Sequence, residues 1–320
     1  MKNKIIIISG DPNSINSEVI YKAWKKINNS IKKKIYLISN FNLIKQQLRK
    51  LNYHIRLEKV KDIYEKSNST NLKIIDVFLN FSNPFKIPKI QRSQFVIKSL
   101  NLGHNLGLNH DVKGIINCAI NKNLLNRKRI GVTEYLAAKC KIKDSSETML
   151  LRNNTISISP ITTHIDIKQI HKNINSKLIV KKVRTINKWF KKENKKKPKI
   201  AILGLNPHNA ELRNVSEEKK IIIPAINKLK RQSVNVHGPI PADTIFIDEF
   251  KKYDVIIGMF HDQVLGPFKA LFKYKACNIT LGLKYLRVSP DHGTATNLIG
   301  KNKANIESFL ECINYVNKTR

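Results

Sequence analysis

The chain has 320 residues, 41% hydrophobic and 26% charged, with 59 lysines and arginines against 23 acids and a formal charge of +36. That balance is globular rather than disordered, and the length suits two lobes better than a single core. No apolar run approaches the ~20 residues needed to cross a bilayer. The four scattered cysteines (Cys118, Cys140, Cys277, Cys312) form no short pairs. This argues against a disulfide framework, a zinc ribbon or a thioredoxin-type motif, and for a reducing, cytoplasmic setting.

In chain order, a strand is predicted over Lys4–Ser9, closing on the turn signal Ser9-Gly10-Asp11-Pro12. A helix over Glu18–Ile27, a strand over Lys34–Ile38, a helix over Leu43–Leu51, a strand over Ile74–Leu79 and a helix over Gln94–Leu102 come next. Further strands are predicted over Thr155–Ser159, Lys199–Leu205 and Asp254–Phe260, with helices over Glu217–Leu229 and Ala304–Val316. Strands alternating with helices imply an α/β protein with largely parallel sheets.

The charge invites a nucleic-acid reading, because lysine and arginine neutralise phosphates. The lysines, however, are spread along the whole chain, and at 7% aromatics nothing interleaves with them to stack bases. The one cluster, from Lys191 to Lys199, follows the amphipathic stretch Ile186–Phe190 and reads as a solvated helix end. Neither a nucleic-acid nor a membrane partner is expected. The excess charge can steer an anionic small substrate.

Three histidines share one local context. His164 follows Thr155–Thr163, His208 follows Ile202–Pro207 and His261 follows Val255–Phe260, each just past a predicted buried strand. Ligands bind at the carboxyl edge of open α/β sheets, and imidazole is the commonest transition-metal ligand. Each alone reads as an ordinary loop histidine; the repeated context makes a three-histidine metal site an equal alternative. The loop from Leu281 to Ala295 carries Gly293 between His292 and Thr294, where backbone can approach a phosphate or adenosine. No G-x-G-x-x-G follows any strand, which argues against an ordinary Rossmann site.

Six ordered segments carry a resemblance: Ile161-Thr162-Thr163-His164, Gly204-Leu205-Asn206-Pro207-His208, Gly238–Thr244, Met259-Phe260-His261-Asp262-Gln263, Asn278–Leu283 and Asp291-His292-Gly293-Thr294-Ala295. Together they resemble the 4-hydroxythreonine-4-phosphate dehydrogenase family of pyridoxal phosphate biosynthesis. The likeness runs from Gly10-Asp11-Pro12 to the C-terminal helix and is densest after Gly131. The last segment also resembles the cofactor loop of isopropylmalate and isocitrate dehydrogenases.

The resemblance implies a two-lobed α/β fold of the isocitrate/isopropylmalate dehydrogenase type. Residues 1–130 with 288–320 would form the cofactor lobe, and 131–287 the metal, substrate and dimer lobe. It implies NAD (or NADP) and a divalent metal (zinc, cobalt or magnesium) on His164, His208 and His261. Thr133, Lys269, Asn278 and Arg287 would bind substrate, and Asp291, His292, Gly293 and Thr294 the cofactor, in a homodimer with its site at the subunit interface. The implied reaction oxidises and decarboxylates 4-phosphooxy-L-threonine to 3-amino-2-oxopropyl phosphate. Asp243 and Asp262, beside the motif histidines, read equally as groups that orient imidazoles or as exposed helix caps. This chain has Val132 where the family usually has a histidine, Leu108-Asn109-His110 in place of Thr-Gly-Pro, and Asn13-Ser14-Ile15-Asn16 in its first turn. Val132 keeps open a related dehydrogenase of another phosphorylated hydroxyacid, such as a phospho-threonate. A basic nucleic-acid-binding protein on an inactive scaffold is the distant alternative.

Overall fold

The computed structural model describes residues 3–65, 67, 70–125, 131–142 and 146–319. Twelve strands are found among them: β1 (Lys4–Ile8), β2 (Ile35–Ser39), β3 (Leu57–Val60), β4 (Leu72–Asp76), β5 (Val112–Asn117), β6 (Thr148–Arg152), β7 (Ser157–Pro160), β8 (Ile200–Leu203), β9 (Val236–Ile240), β10 (Val255–Gly258), β11 (Cys277–Leu281) and β12 (Arg287–Pro290). The chain divides into two compact units, Met1–Lys141 with Leu283–Thr319 and Ile142–Gly282. Among the described residues no helix is long and apolar enough to cross a membrane.

In the first unit the strand order is β3-β4-β2-β1-β5-β12, every neighbour parallel. The sequences of β1 and β2 show why: Lys-Ile-Ile-Ile-Ile and Ile-Tyr-Leu-Ile-Ser are apolar without alternation, as strands covered on both faces require. The helix Asn16–Lys26 buries Val19, Ile20, Ala23 and Trp24 while Lys25 and Lys26 stay in water. The helix Phe41–Lys50 starts where Asn40 Oδ1 accepts the Leu43 N–H at 2.9 Å. Because β1 lies between β2 and β5, its carboxyl end is the switch point of this unit, the place where open α/β sheets bind ligands. Gly10 turns there at φ +75°, so close to β5 that a Cβ would fall 2.5 Å from the Ala119 carbonyl oxygen.

In the second unit the order is β11-β6-β7-β10-β8-β9. Strand β6 runs antiparallel to both its neighbours, whereas β7, β10, β8 and β9 are mutually parallel. The core here is built from Ile158, Ala201, Leu203, Ile256, Val264 and Phe268. Pro239 is tolerated in β9 because that strand is the outer edge of the unit.

The expected α/β alternation is observed, with six strands beyond those predicted: β3, β5, β6, β9, β11 and β12. Several have a plain physical reason for reading weakly. Lys113 and Gly114 interrupt β5, Gly238-Pro239 reads as a turn within β9, and β12 is only four residues long. The unit boundaries fall at 141/142 and 282/283, so 131–141 and 283–287 stand with the first unit, whereas the resemblance implies a single lobe over 131–287. Tyr135 Oη donates to Asn101 Oδ1 at 2.8 Å on the helix Lys89–Gly107, and Arg287 pairs with Ile115 of β5. The expected lobe end at residue 130 lies outside the described residues.

Among the buried charged residues of the first unit, one is a lysine on an inner strand. Lys73 of β4 is 2% exposed; its Nζ donates to the Lys33 carbonyl at 2.6 Å and stands 4.4 Å over the Tyr36 ring. Burial pushes its pKa below the ordinary 10.5, so the folded protein holds this proton less tightly than the unfolded chain. The penalty is fully present below the folded pKa and is relieved as pH rises toward the unfolded value. In urea unfolding, the stability of the wild type relative to Lys73→Met should therefore increase as the pH is raised toward 10.5. A flat difference over that rise would show that burial of this charge costs nothing.

Candidate active site

The three motif histidines lie past the carboxyl ends of three adjacent parallel strands. His164 follows β7, His261 follows β10 and His208 follows β8, and β10 is the middle strand. The rings of His164 and His261 approach to 5.9 Å between centroids. His261 starts the helix His261–Phe272, and its Nδ1 lies 2.6 Å from Asp262 Oδ1. A carboxylate only accepts, so this contact places a ring proton on Nδ1 and turns Nε2 away from Asp262. His208 is exposed and opens a run of five left-handed residues, His208 to Leu212, with φ between +45° and +55°. It is not gathered with the other two: among the described residues no group of three His, Cys, Asp or Glu forms a metal-sized cluster. Asp243 is exposed in the first turn of the short helix Ala242–Ile245, where Pro241 holds the cap position.

The donor chemistry nonetheless suits a divalent metal. Two imidazoles stand within ring reach, one backed by a carboxylate, and a third lies five residues past the neighbouring strand.

Two of the predicted substrate groups meet in the first unit. Arg287 of β12 is buried, its Nε donates to Asn117 Oδ1 at the end of β5, and its Nη1 donates to Thr133 Oγ1 at 3.2 Å. Thr133 lies in the first turn of the helix Val132–Lys139. Burial lowers the Arg287 guanidinium to about 10, which leaves it charged at neutral pH. Val132 starts that helix as an apolar group packed on the first unit's core. In the second unit, Lys269 is exposed on the helix His261–Phe272, and Asn278 is on β11. Asn278 Oδ1 is buried without a hydrogen-bond partner, an acceptor in want of a donor.

The predicted cofactor loop is anchored at both ends and open between them. The Asp291 N–H donates to Ser308 Oγ at 2.7 Å, and the Thr294 carbonyl accepts the Ile15 N–H at 3.2 Å. Nothing lies within 4 Å of where a Gly293 Cβ would be. His292 Nδ1 lies 2.9 Å from the Gly293 carbonyl oxygen, and its Nε2 has no partner. Burial pushes the His292 pKa down, partly opposed by the Gly293 carbonyl and Asp291, so Nε2 is an acceptor at neutral pH. The exposed backbone at Gly293 fits the close approach of a dinucleotide's phosphates.

The structure adds residues that the sequence does not single out. Asn117 holds Arg287, Gln263 joins two strand ends, and Glu218 is a fully buried acid. The Glu218 carboxylate accepts the Leu205 and Asn206 N–H groups at 2.7 and 2.8 Å. Burial alone would raise its pKa, but the hydrogen bonds from Asn206 and Leu205 outweigh it and the net shift is downward. Gln263 belongs to the Met259–Gln263 motif and Asn117 ends an apolar run, but no spacing marks either side chain as a tie.

Comparison with known proteins identifies the family and the fold. The family described as pyridoxal phosphate biosynthetic protein PdxA matches residues 30–316. The 4-hydroxythreonine-4-phosphate dehydrogenase of Sulfurihydrogenibium sp. is 34% identical over 97% of this chain and 96% of its own length. That of Aquifex aeolicus is 34% identical over 99% and 98%. The crystal structure of the Klebsiella pneumoniae 4-hydroxythreonine-4-phosphate dehydrogenase superposes with a TM-score of 0.84 at 28% identity, covering 98% of each chain. A match of this extent, on a largely parallel α/β fold with the six motifs in order, shows that the chain belongs to the PdxA family, the 4-hydroxythreonine-4-phosphate dehydrogenases of pyridoxal phosphate biosynthesis.

Proposed function

We propose that this chain oxidises the secondary alcohol of 4-phosphooxy-L-threonine with NAD or NADP, passing hydride to the nicotinamide and a proton to solvent. The resulting β-keto acid loses CO2 to leave 3-amino-2-oxopropyl phosphate. The observation that carries this reading is the alignment of His164, His261 and His208 along the carboxyl edge of three neighbouring strands in a dehydrogenase of this family. The protein is read as a homodimer acting in the cytoplasm.

The chain's own residues have distinct tasks. Arg287, fixed by Asn117, and Thr133 would hold an anionic group of the substrate; Lys269 would add a second cation and the unpartnered Asn278 an acceptor. Asp291 to Thr294 would carry the dinucleotide. His164, His208 and His261 would hold a zinc, cobalt or magnesium ion, with Asp262 orienting His261. Bound there, the ion supplies Lewis-acid stabilisation of negative charge on a substrate oxygen. Positioning the reacting carbon against the nicotinamide remains the protein's main contribution.

Val132 favours a second substrate reading, because a valine packed on the core offers no hydrogen bond where the family has an imidazole. The same assay weighs both. Reduced nicotinamide formed at 340 nm from 4-phosphooxy-L-threonine, with added divalent metal, should exceed that from phospho-threonate at equal concentration and vanish with chelator. The reverse ranking would move the assignment to phospho-threonate.

Arg287→Lys keeps the charge but loses the guanidinium fork. Charged hydrogen bonds are worth roughly 1.5–3 kcal/mol, so kcat/KM for the phosphorylated substrate should fall about 10- to 100-fold with the KM for NAD little changed. An unaltered kcat/KM would remove Arg287 from the substrate site. His208→Ala should abolish turnover and leave the circular dichroism spectrum intact; activity retained by that variant after metal depletion would overturn the metal assignment.

A further inference from the structure

The β-ladders of the second unit stop short of its three histidines. The final register pairs are Gly258 with Pro160 on one side of β10 and Ile257 with Ile202 on the other. Past that point, among the described residues, backbone stitches continue on the β7 side. The Ile161 N–H donates to the Gly258 carbonyl at 2.8 Å, and the Met259 carbonyl accepts both the Thr162 N–H at 3.1 Å and Thr162 Oγ1 at 2.7 Å. On the β8 side a side chain takes over. The Met259 N–H donates to Gln263 Oε1 at 2.7 Å, and Gln263 Nε2 donates to the Gly204 carbonyl at 2.7 Å.

We propose that Gln263 is a positioning residue that sets the spacing between the His261-bearing and His208-bearing strand ends. A primary amide offers one acceptor and two donors, so it can stand in for a peptide unit between two chains. Its orientation is fixed, because a backbone N–H only donates and a carbonyl only accepts. Met259 is two residues before His261, and Gly204 four before His208, which leaves little chain through which an error could relax.

The surroundings are shaped to this tie. A Cβ on Gly258 would fall 2.9 Å from Gln263 Oε1 and 2.6 Å from Val264 Cγ1. A Cβ on Gly204 would fall 2.1 Å from Asn209 Oδ1. A side chain on Gly258 would therefore push the amide away, and one on Gly204 would displace Asn209, which sits against the approach to His208. Glu218 extends the hold by fixing the Leu205 and Asn206 N–H groups, and Asn206 Nδ2 donates to its Oε2 at 3.1 Å. From Gly204 to Asn206 the approach to His208 is thus pinned by two buried or half-buried side chains from outside the loop.

The inference rests on the proposed metal role of the histidines, and cobalt binding tests the two separately. Co(II) is titrated into metal-free wild type, Gln263→Ala and Gln263→Glu, reading affinity by competition with a chromophoric chelator and geometry by ligand-field absorption. Gln263→Glu keeps the acceptor for Met259 but turns an oxygen toward the Gly204 carbonyl. Groups that orient metal ligands are typically worth 10- to 100-fold in affinity, so both variants should bind Co(II) about that much more weakly, with an altered visible spectrum. Leu100→Ala, in the core of the first unit, serves as the destabilised control; it should lower the melting temperature and leave Co(II) affinity unchanged. Wild-type affinity and spectrum in both folded Gln263 variants would overturn the inference while leaving the metal site standing. An equal loss in Leu100→Ala would overturn it too, by reducing the effect to general stability. A wild type that takes up no Co(II) would instead overturn the metal reading, and the role of Gln263 with it.

Discussion

A parallel ladder ends where its strands end, and beyond it every buried N–H and C=O must find another partner. This constraint organises both units. In the first, Asn16 Nδ2 donates to the Ser9 carbonyl at 2.9 Å and the Ala119 carbonyl at 2.8 Å, spanning the ends of β1 and β5 beside Gly10. In the second, Gln263 spans the ends of β10 and β8 beside Gly204 and Gly258. The same solution appears twice: a side-chain amide from a helix start, inserted where glycine leaves room. The edges so completed are where the chain places its candidate chemistry.

Buried charge obeys the same logic. Asp11, at the β1 end, is 1% exposed; burial raises its pKa, and Arg92, 3.2 Å from both carboxylate oxygens, pulls it back. Glu218 is satisfied by backbone donors and Arg287 by Asn117 and Thr133. Each of these charges is held at or beside a strand end, where backbone and amide groups are available to solvate it. The rest of the +36 is dispersed. Lys195 ends the helix Ser176–Asn194 in a left-handed turn, and Lys196 pairs with Asp254 at 2.8 Å while half in water. Exposed pairs of that kind contribute little to stability, so the surface charge acts chiefly on solubility and on the approach of anions.

Apolar runs and the residues just past them are local features, so β1, β2, β7, β8 and β10, with a histidine after each of the last three, are legible in the sequence. Which runs become neighbours is not. That β10 lies between β7 and β8, bringing His164 and His261 within 5.9 Å, is a property of topology. The partnership of Arg287 with Asn117, 170 residues apart, is equally invisible to local spacing. Gln263 can be read as part of a motif, but its meaning lies in two backbone groups that only folding brings to either side of it. Strands β5 and β9 are hidden because Lys113-Gly114 and Gly238-Pro239 carry turn-like residues whose cost is met by tertiary packing.

The segment from His208 to Leu212 shows how far that packing can override local preference. Between Gly204 and Gly238 the chain has no glycine, so His, Asn, Ala, Glu and Leu all take left-handed φ values that cost roughly 1–2 kcal/mol each. Such a turn does not persist on its own propensity; it must be over-determined by its neighbours. Glu218 and Gln263 fix the chain before it, Asn209 Nδ2 donates to the Pro239 carbonyl at 3.1 Å within it, and Ala210 is buried beneath. His208 therefore owes its position to groups from β9, the helix His261–Phe272 and the segment around Glu218, not to its own turn. A site built this way is sensitive to changes that never touch an imidazole.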